Sequence, residues 1–300
     1  MALDVAPTRE QTRASYPDDE GFVERDGVRL YYEVYGRGEP TVFLLPTWSI
    51  VHSRQWKMQI PFLARHFCVL TFDGRGSGRS DSPPDAEAYN GEEYVADAIA
   101  VMDRTHTERA VLVGFSRSGG TAIMHAATHP DRTLGAFVIG PGMSVVDPPP
   151  WQFQHFEDVR DTHAGWAKFN RHYWLRDYRG FVEFFMSEMF VEPHSTKQIE
   201  DAVGWGLEND AETLILTRGN RARSVEEAQA ICRQVRCPVV VVHGIEDRQM
   251  SYTYGVALAE ALSGDLVLLE GCGHAPHLRD PVRVNRLLYE FIGSLRWRQP

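Results

Sequence analysis

The chain has little cysteine. Its 300 residues include only Cys68, Cys232, Cys237 and Cys272, too few and too scattered for a disulfide framework, and a reducing, cytoplasmic setting is expected. Cys68 and Cys237 open apolar runs and read as packing residues. Excess positive charge is also missing. A formal net charge of −10 leaves no basic face on which phosphates could be neutralised, so nucleic acid is not an expected partner. No apolar run approaches the roughly 18 residues that cross a bilayer, so no membrane partner is expected either. The opening "MALDVAPTREQTRASYPDDEG" has no apolar segment of a secretory signal, and residues 1–20 read as a polar arm. Finally, no polar low-complexity tract divides the chain, and 43% apolar content can fill one large core.

Two apparent motifs fall away on the same grounds. "HAATH" puts His125 and His129 at the i, i+4 spacing of a zinc pair but lacks the glutamate of a zinc-protease helix, and His129 before Pro130 marks a helix end. "GRGSGRS" (74–80) leads into Asp81-Ser82-Pro83-Pro84, not into the helix N-terminus that a pyrophosphate needs. Neither a metal nor a cofactor is expected.

What is present is a pattern of strands and helices. "GFVERDGVRLYYEVYG" alternates apolar and polar residues around Asp26-Gly27, which predicts a hairpin with a tight turn. "TVFLLP", "CVLTFD", "AVLVGF", "LGAFVIG", "PVVVVHG" and "DLVLLEG" follow as short continuous apolar runs, the mark of strands covered on both faces of a parallel sheet. Helical periodicity fills most of the gaps, as in "EEYVADAIAVMDRT", "RSGGTAIMHAATH" and "YTYGVALAEAL", and "VRVNRLLYEFIGSL" closes the chain. The pattern predicts an α/β, mostly parallel, doubly wound core over 21–142 and 223–300. Between Met143 and Ala222 the alternation stops. Pro148-Pro149-Pro150 opens a stretch of short amphipathic helices rich in aromatics, among them Trp151, Phe153, Trp166, Phe169, Phe185 and Trp205. Residues 143–222 therefore read as an inserted helical cap. Aromatics at helical spacing mostly pack such a layer together, and Tyr173 and Trp174 are the candidates for touching a substrate.

Ligands of open α/β sheets sit at the carboxyl ends of the strands. After "AVLVGF" stands Ser116, after "PVVVVHG" comes Asp247, and after "DLVLLEG" comes His274. The order serine, aspartate, histidine, together with "LPTWSIVHSRQW", "FDGRGSGRSD", "GFSRSGG", "HGIED" and "GCGHAPH", resembles the α/β-hydrolase superfamily from Phe22 to about Leu295. The elbow departs from G-x-S-x-G: Ser116 has Gly114 behind it but Ser118 ahead, and Ser118 has Ser116 behind it but Gly120 ahead. Placing the nucleophile at Ser116 aligns Gly114 and Gly119 with the glycines of a G-x-S-x-G-G run and respects the strand end. Ser118 then becomes a small turn residue whose hydroxyl could cap the helix.

The resemblance implies a Ser116, His274, Asp247 triad, with Asp147 as the weaker alternative acid and with His243 and His277 structural. It also implies an oxyanion hole built from the backbone N–H groups of Trp48 and Arg117. Where relatives commonly carry His-Gly, this chain has Pro46-Thr47, so the aim of the Trp48 amide is open. Serine at the elbow implies hydrolysis of a carboxylic ester or lactone of an apolar small molecule. Hydrolytic C–C cleavage of a β-diketone-like substrate, or a ligand-binding role without catalysis, is the alternative.

Overall fold

The computed structural model describes residues 15–147, 155–218 and 223–295. The N-terminal arm up to residue 14, the triple proline, Trp151 and Phe153 lie outside the described residues. The chain enters on a hairpin, β1 (Asp19–Arg25) and β2 (Val28–Tyr35). Asp26 and Gly27 turn it with φ of 51° and 77°, the paired positive angles of a turn whose twist matches its strands.

Next come β3 (Thr41–Leu44), α1 (Ile60–Leu63), β4 (Cys68–Phe72), α2 (Gly91–Arg104), β5 (Ala110–Phe115), α3 (Arg117–Thr128) and β6 (Thr133–Ile139). After β6 the described residues form helices only: a 3-10 turn at Gly165–Lys168, then α4 (Arg171–Arg176), α5 (Tyr178–Ser187), α6 (Thr196–Gly206) and α7 (Ala211–Leu216). The core resumes with α8 (Val225–Cys232), β7 (Val239–Gly244), α9 (Tyr252–Leu262), β8 (Asp265–Leu269), α10 (Pro276–Arg279) and α11 (Pro281–Ser294). None of the helices among the described residues is long and apolar enough to cross a membrane.

The sheet runs β1-β2-β4-β3-β5-β6-β7-β8; β2 is antiparallel to both of its neighbours, β1 and β4, and the pairings from β4 to β8 are parallel. β5 and β7 are buried at every position. The period of two divides their side chains. Val111, Val113 and Phe115 join α11 and the inserted helices in one apolar cluster, whereas Ala110 and Leu112 join α2, α3 and α9 in the other. β8 differs from its reading as a covered strand. It is the sheet edge, paired only to β7, and Asp265 and Leu266 are exposed.

The order places a switch between β3 and β5. The chain steps from β3 outward to β4, then returns to β5 on the other side of β3, so the loops leaving β3 and β5 diverge over a crevice. Under that crevice lies "GRGSGRS". Its Arg75 is 2% exposed and held by two bonds to Asp97, at 2.7 and 2.6 Å.

Three of the helices between β6 and α8 (α4, α5 and α7) start on side-chain caps. Asp177 accepts from Gly180 N, Asp210 from Thr213 N, and Asn170 from His172 N and Tyr173 N. Fully buried Asn170 also turns its amide on the carbonyls of His155, Phe156 and Asp158, at 2.9, 3.0 and 2.8 Å. Asn170→Ala is expected to strand those carbonyls and lower stability by about 2–4 kcal/mol. Asp210→Ala, at an exposed cap, should cost about 1 kcal/mol. Denaturant unfolding of both variants measures the difference.

Candidate active site

The corner between β5 and α3 is strained. Ser116 has φ 52° and ψ −120°, a conformation that L residues hold only when their surroundings dictate it. The dictating contacts are visible. Ser116 N donates to Ile139 O at 2.9 Å, and its carbonyl accepts from Gly119 N at 2.9 Å and Gly142 N at 2.8 Å. A Cβ on Gly114 would lie 2.3 Å from Ser118 O, and one on Gly119 would lie 2.7 Å from Pro141 Cβ. These are the two glycines that the register with Ser116 at the elbow requires.

Ser118 fills the place of the missing motif glycine and is sealed. It has no exposed surface, and its hydroxyl accepts from Phe115 N at 2.9 Å while donating to Phe115 O at 3.0 Å. It therefore turns back to the strand end and does not cap α3, as the sequence had suggested. The half-buried Ser116 makes no side-chain cap bond and lines a cavity of about 310 Å³ together with His274.

His274 follows β8, and Asp247 follows β7. His274 Nδ1 stands 2.6 Å from Asp247 Oδ2, which leaves Nε2 as the ring nitrogen for proton exchange. The other carboxylate oxygen, Oδ1, accepts from Gln249 N at 2.8 Å and Met250 N at 2.9 Å. Burial alone would raise the Asp247 pKa. The charge of His274 and hydrogen bonds from His243 and His274 outweigh it and hold the carboxyl well below the usual range.

His243 thus joins the site. Its Nε2 lies 3.0 Å from both Asp247 Oδ2 and Met250 O. Sequence reasoning set it aside as a strand-end residue, although its place four positions before Asp247 was the available signal. Asp147 is elsewhere: it is exposed, and its carbonyl accepts from Tyr254 OH at 3.1 Å. His277 is fully buried, its ring 4.4 Å from that of Phe115 and 5.0 Å from that of Trp56. Burial, then the charge of His274, push its pKa down to about 3.

On the β3 side of the crevice, Pro46-Thr47 finds its own anchor. Thr47 Oγ1 donates to Phe115 O at 2.8 Å, and Ser49 Oγ donates to Arg75 O at 2.8 Å. The indole of Trp48 donates to Thr217 Oγ1 at 2.8 Å. Trp48 and Arg117 both line the Ser116 cavity, and Arg117 is the first residue of α3, where N–H groups have no partner within the helix.

Phe169, Phe185 and Met250 supply the cavity's apolar wall, Gln249 and Arg218 its polar one. Tyr173 and Trp174 do not reach it. Trp174 is fully buried, stacks on Phe181 at 4.2 Å and donates to Lys168 O, so it packs the layer behind Phe169. Tyr173 spends its hydroxyl on Asp177 at 2.9 Å.

Residues 42–287 match the model of the alpha/beta hydrolase family. The chain belongs to this family. It is 25% identical over 271 residues to a 2-hydroxymuconate semialdehyde hydrolase of Pseudomonas sp. (strain CF600), covering 89% of this chain and 92% of that protein. It is also 25% identical over 287 residues to a bifunctional esterase/perhydrolase of Acinetobacter calcoaceticus, covering 91% of this chain and all of that one (100%). Among solved structures, an N-acyl homoserine lactone degrading enzyme, Est816, superposes with a TM-score of 0.73 at 26% identity, over 90% of this chain and 100% of that one. With these relatives the α/β-hydrolase is an enzyme with hydrolase activity.

Two outcomes follow from the geometry. Asp247→Asn should lower turnover by about three to four orders of magnitude through loss of the imidazole's orientation, while Asp147→Asn stays near wild type in steady-state assays. His277 folds neutral and takes up its proton on unfolding, because its pKa falls from about 6.5 unfolded to about 3 folded. Its stabilising contribution is complete above the unfolded value and is lost as pH falls, at about 1.4 kcal/mol per pH unit below 6.5. Denaturant titrations from pH 7 to 4 should show that slope, and His277→Gln should show less of it.

Proposed function

We propose that this α/β-hydrolase is a serine hydrolase that cleaves a carboxylic ester or lactone of an apolar small molecule through an acyl-enzyme on Ser116. The observation that supports it most is the His274 to Asp247 pair at 2.6 Å, with its imidazole in the same cavity as Ser116. Serine is a weak nucleophile at its own pKa and needs an adjacent neutral base. His274 Nε2 takes the Ser116 proton as Oγ attacks the substrate carbonyl. Asp247 holds the tautomer and offsets the imidazolium charge.

Negative charge then develops on the carbonyl oxygen, where the backbone N–H groups of Trp48 and Arg117 serve as donors, each worth on the order of 3 kcal/mol. Collapse expels the alcohol, which receives its proton from His274. Water, deprotonated by the same imidazole, attacks the acyl carbon and returns Ser116. Residues 143–222 act as the roof, which keeps bulk water out and offers Phe169 and Phe185 to the substrate.

The similarity to an esterase/perhydrolase and to a lactone-degrading enzyme supports this reading. A second reading, C–C bond hydrolysis, draws on the similarity to the semialdehyde hydrolase and employs the same three side chains. Parallel assays of an ester panel and a β-diketone panel separate the two by kcat/KM.

A fluorophosphonate should label Ser116, Ser116→Ala should abolish labelling and turnover, and in Ser118→Ala the mapped tag should still sit on Ser116. A tag on Ser118 would overturn the mechanism. Across 4-nitrophenyl esters, kcat/KM should rise from acetyl to hexanoyl by up to about fourfold per methylene. Phe185→Ala should flatten this rise, whereas Tyr173→Phe should leave it as it is. A wild-type enzyme that favours acetate would remove the apolar-pocket account.

A further inference from the structure

One cation lines the Ser116 cavity without a carboxylate partner among the described residues. Arg218 follows α7 and lines both this cavity and an adjoining one of about 340 Å³, and the two share Arg117 and Gly142 as well. The Arg218 guanidinium lies 4.0 Å from the centre of the Phe156 ring and 5.1 Å from that of Phe169. Among the described residues no carboxylate pairs with it. Glu157, whose field reaches it, is bonded to Arg171 at 2.7 Å. The guanidiniums of the buried Arg54 and Arg75 are matched: Arg54 meets Glu33 at 2.7 Å and Arg75 meets Asp97 at 2.6 Å.

The charge next to Arg218 is another cation. Arg117 spends its guanidinium on the carbonyls of Thr217 and Arg218, and the Trp48 indole holds Thr217 from the other side. These bonds fix the backbone that carries Arg218. Burial, reinforced by Arg117, lowers the Arg218 pKa to about 10, so it is a cation at neutral pH that has given up part of its solvation for two aromatic rings and, among the described residues, for no carboxylate. Such a charge is costly unless an anion completes it.

We propose that Arg218 binds a carboxylate carried by the substrate, so that the molecule cleaved at Ser116 is a monoanionic, partly apolar ester or lactone. The inference rests on Ser116 as nucleophile and names the substrate class for that site. A guanidinium fork matches a carboxylate with two parallel hydrogen bonds. The aromatic rings beside it and Phe185 accommodate the apolar remainder.

The test compares matched pairs of substrates. One pair is the 4-nitrophenyl monoester of adipic acid and its terminal carboxamide. The other places a carboxylate or a carboxamide on the leaving phenol of a butyrate ester. In at least one pair the wild type should favour the carboxylate in kcat/KM by about tenfold or more, the effect of one charge-assisted hydrogen bond. Arg218→Gln should bring that ratio near one and Arg218→Glu below one, whatever happens to the single rates. A ratio of one in both wild-type pairs, or a ratio that survives in Arg218→Gln, would overturn the inference. Failure of the nucleophile shows separately, as absent fluorophosphonate labelling. In that event hexanoate still decides the carboxylate site: it should raise the wild-type Tm where hexanamide does not, and equal shifts would refute it.

Discussion

The backbone of Ser116 is the constraint on which the rest of the site depends. A residue at φ 52° and ψ −120° is unfavourable by roughly 1–3 kcal/mol, and the fold holds it there with three backbone hydrogen bonds drawn from β6, α3 and the loop after β6. That conformation lifts the side chain off the sheet and starts α3 at the next residue. It also forbids a Cβ at Gly114 and Gly119. The serine in place of the usual second motif glycine is accommodated because its hydroxyl satisfies both backbone polar groups of Phe115.

A second layer of order surrounds Asp247. Donors at His243, His274, Gln249 and Met250 converge on its two oxygens. A buried carboxylate so surrounded stays ionised and cannot rotate, which fixes the imidazole in turn. α5 and the loop that follows it take part in this order. His274 N donates to Met189 O at 2.9 Å, Gly273 N to Glu192 Oε1 at 3.0 Å, and Gln249 Nε2 to Phe185 O at 2.8 Å.

Much of this was legible in the sequence because it is local. The Asp26-Gly27 turn, the continuous apolar strands and the residues that follow each strand end are all set by near neighbours or by burial that residue type reports. That the strained corner falls at Ser116 and not at Ser118 was legible from strand length and glycine placement. What was hidden depends on how each segment folds back in three dimensions, even between near neighbours. Nothing near Trp174 in sequence says that Phe181 stacks on it and that Phe169 stands between it and the cavity. His243 reads as one more residue of a buried strand until the loop after β7 folds Asp247 back over it. Arg218 is one of 31 Lys and Arg residues, and only its place in the cavity without a carboxylate partner among the described residues, a property of three dimensions, sets it apart. β8 misled because an edge strand can be as apolar in sequence as a central one.

The bonds between Met189, Phe185 and Glu192 and the loops that bear His274 and Asp247 have an evolutionary consequence. An insertion joined to its core only by apolar contact can be exchanged between relatives as a module, since greasy surfaces repack. Here the insertion also supplies hydrogen-bond partners to the backbone of Gly273 and His274 and to the side chain of Gln249. A recombinant that imported a foreign insertion would have to recreate those partners at the same positions, or its histidine loop would be left to wander. Substitutions at 185–192 are therefore felt at the His274 loop, and the two segments are constrained to change together.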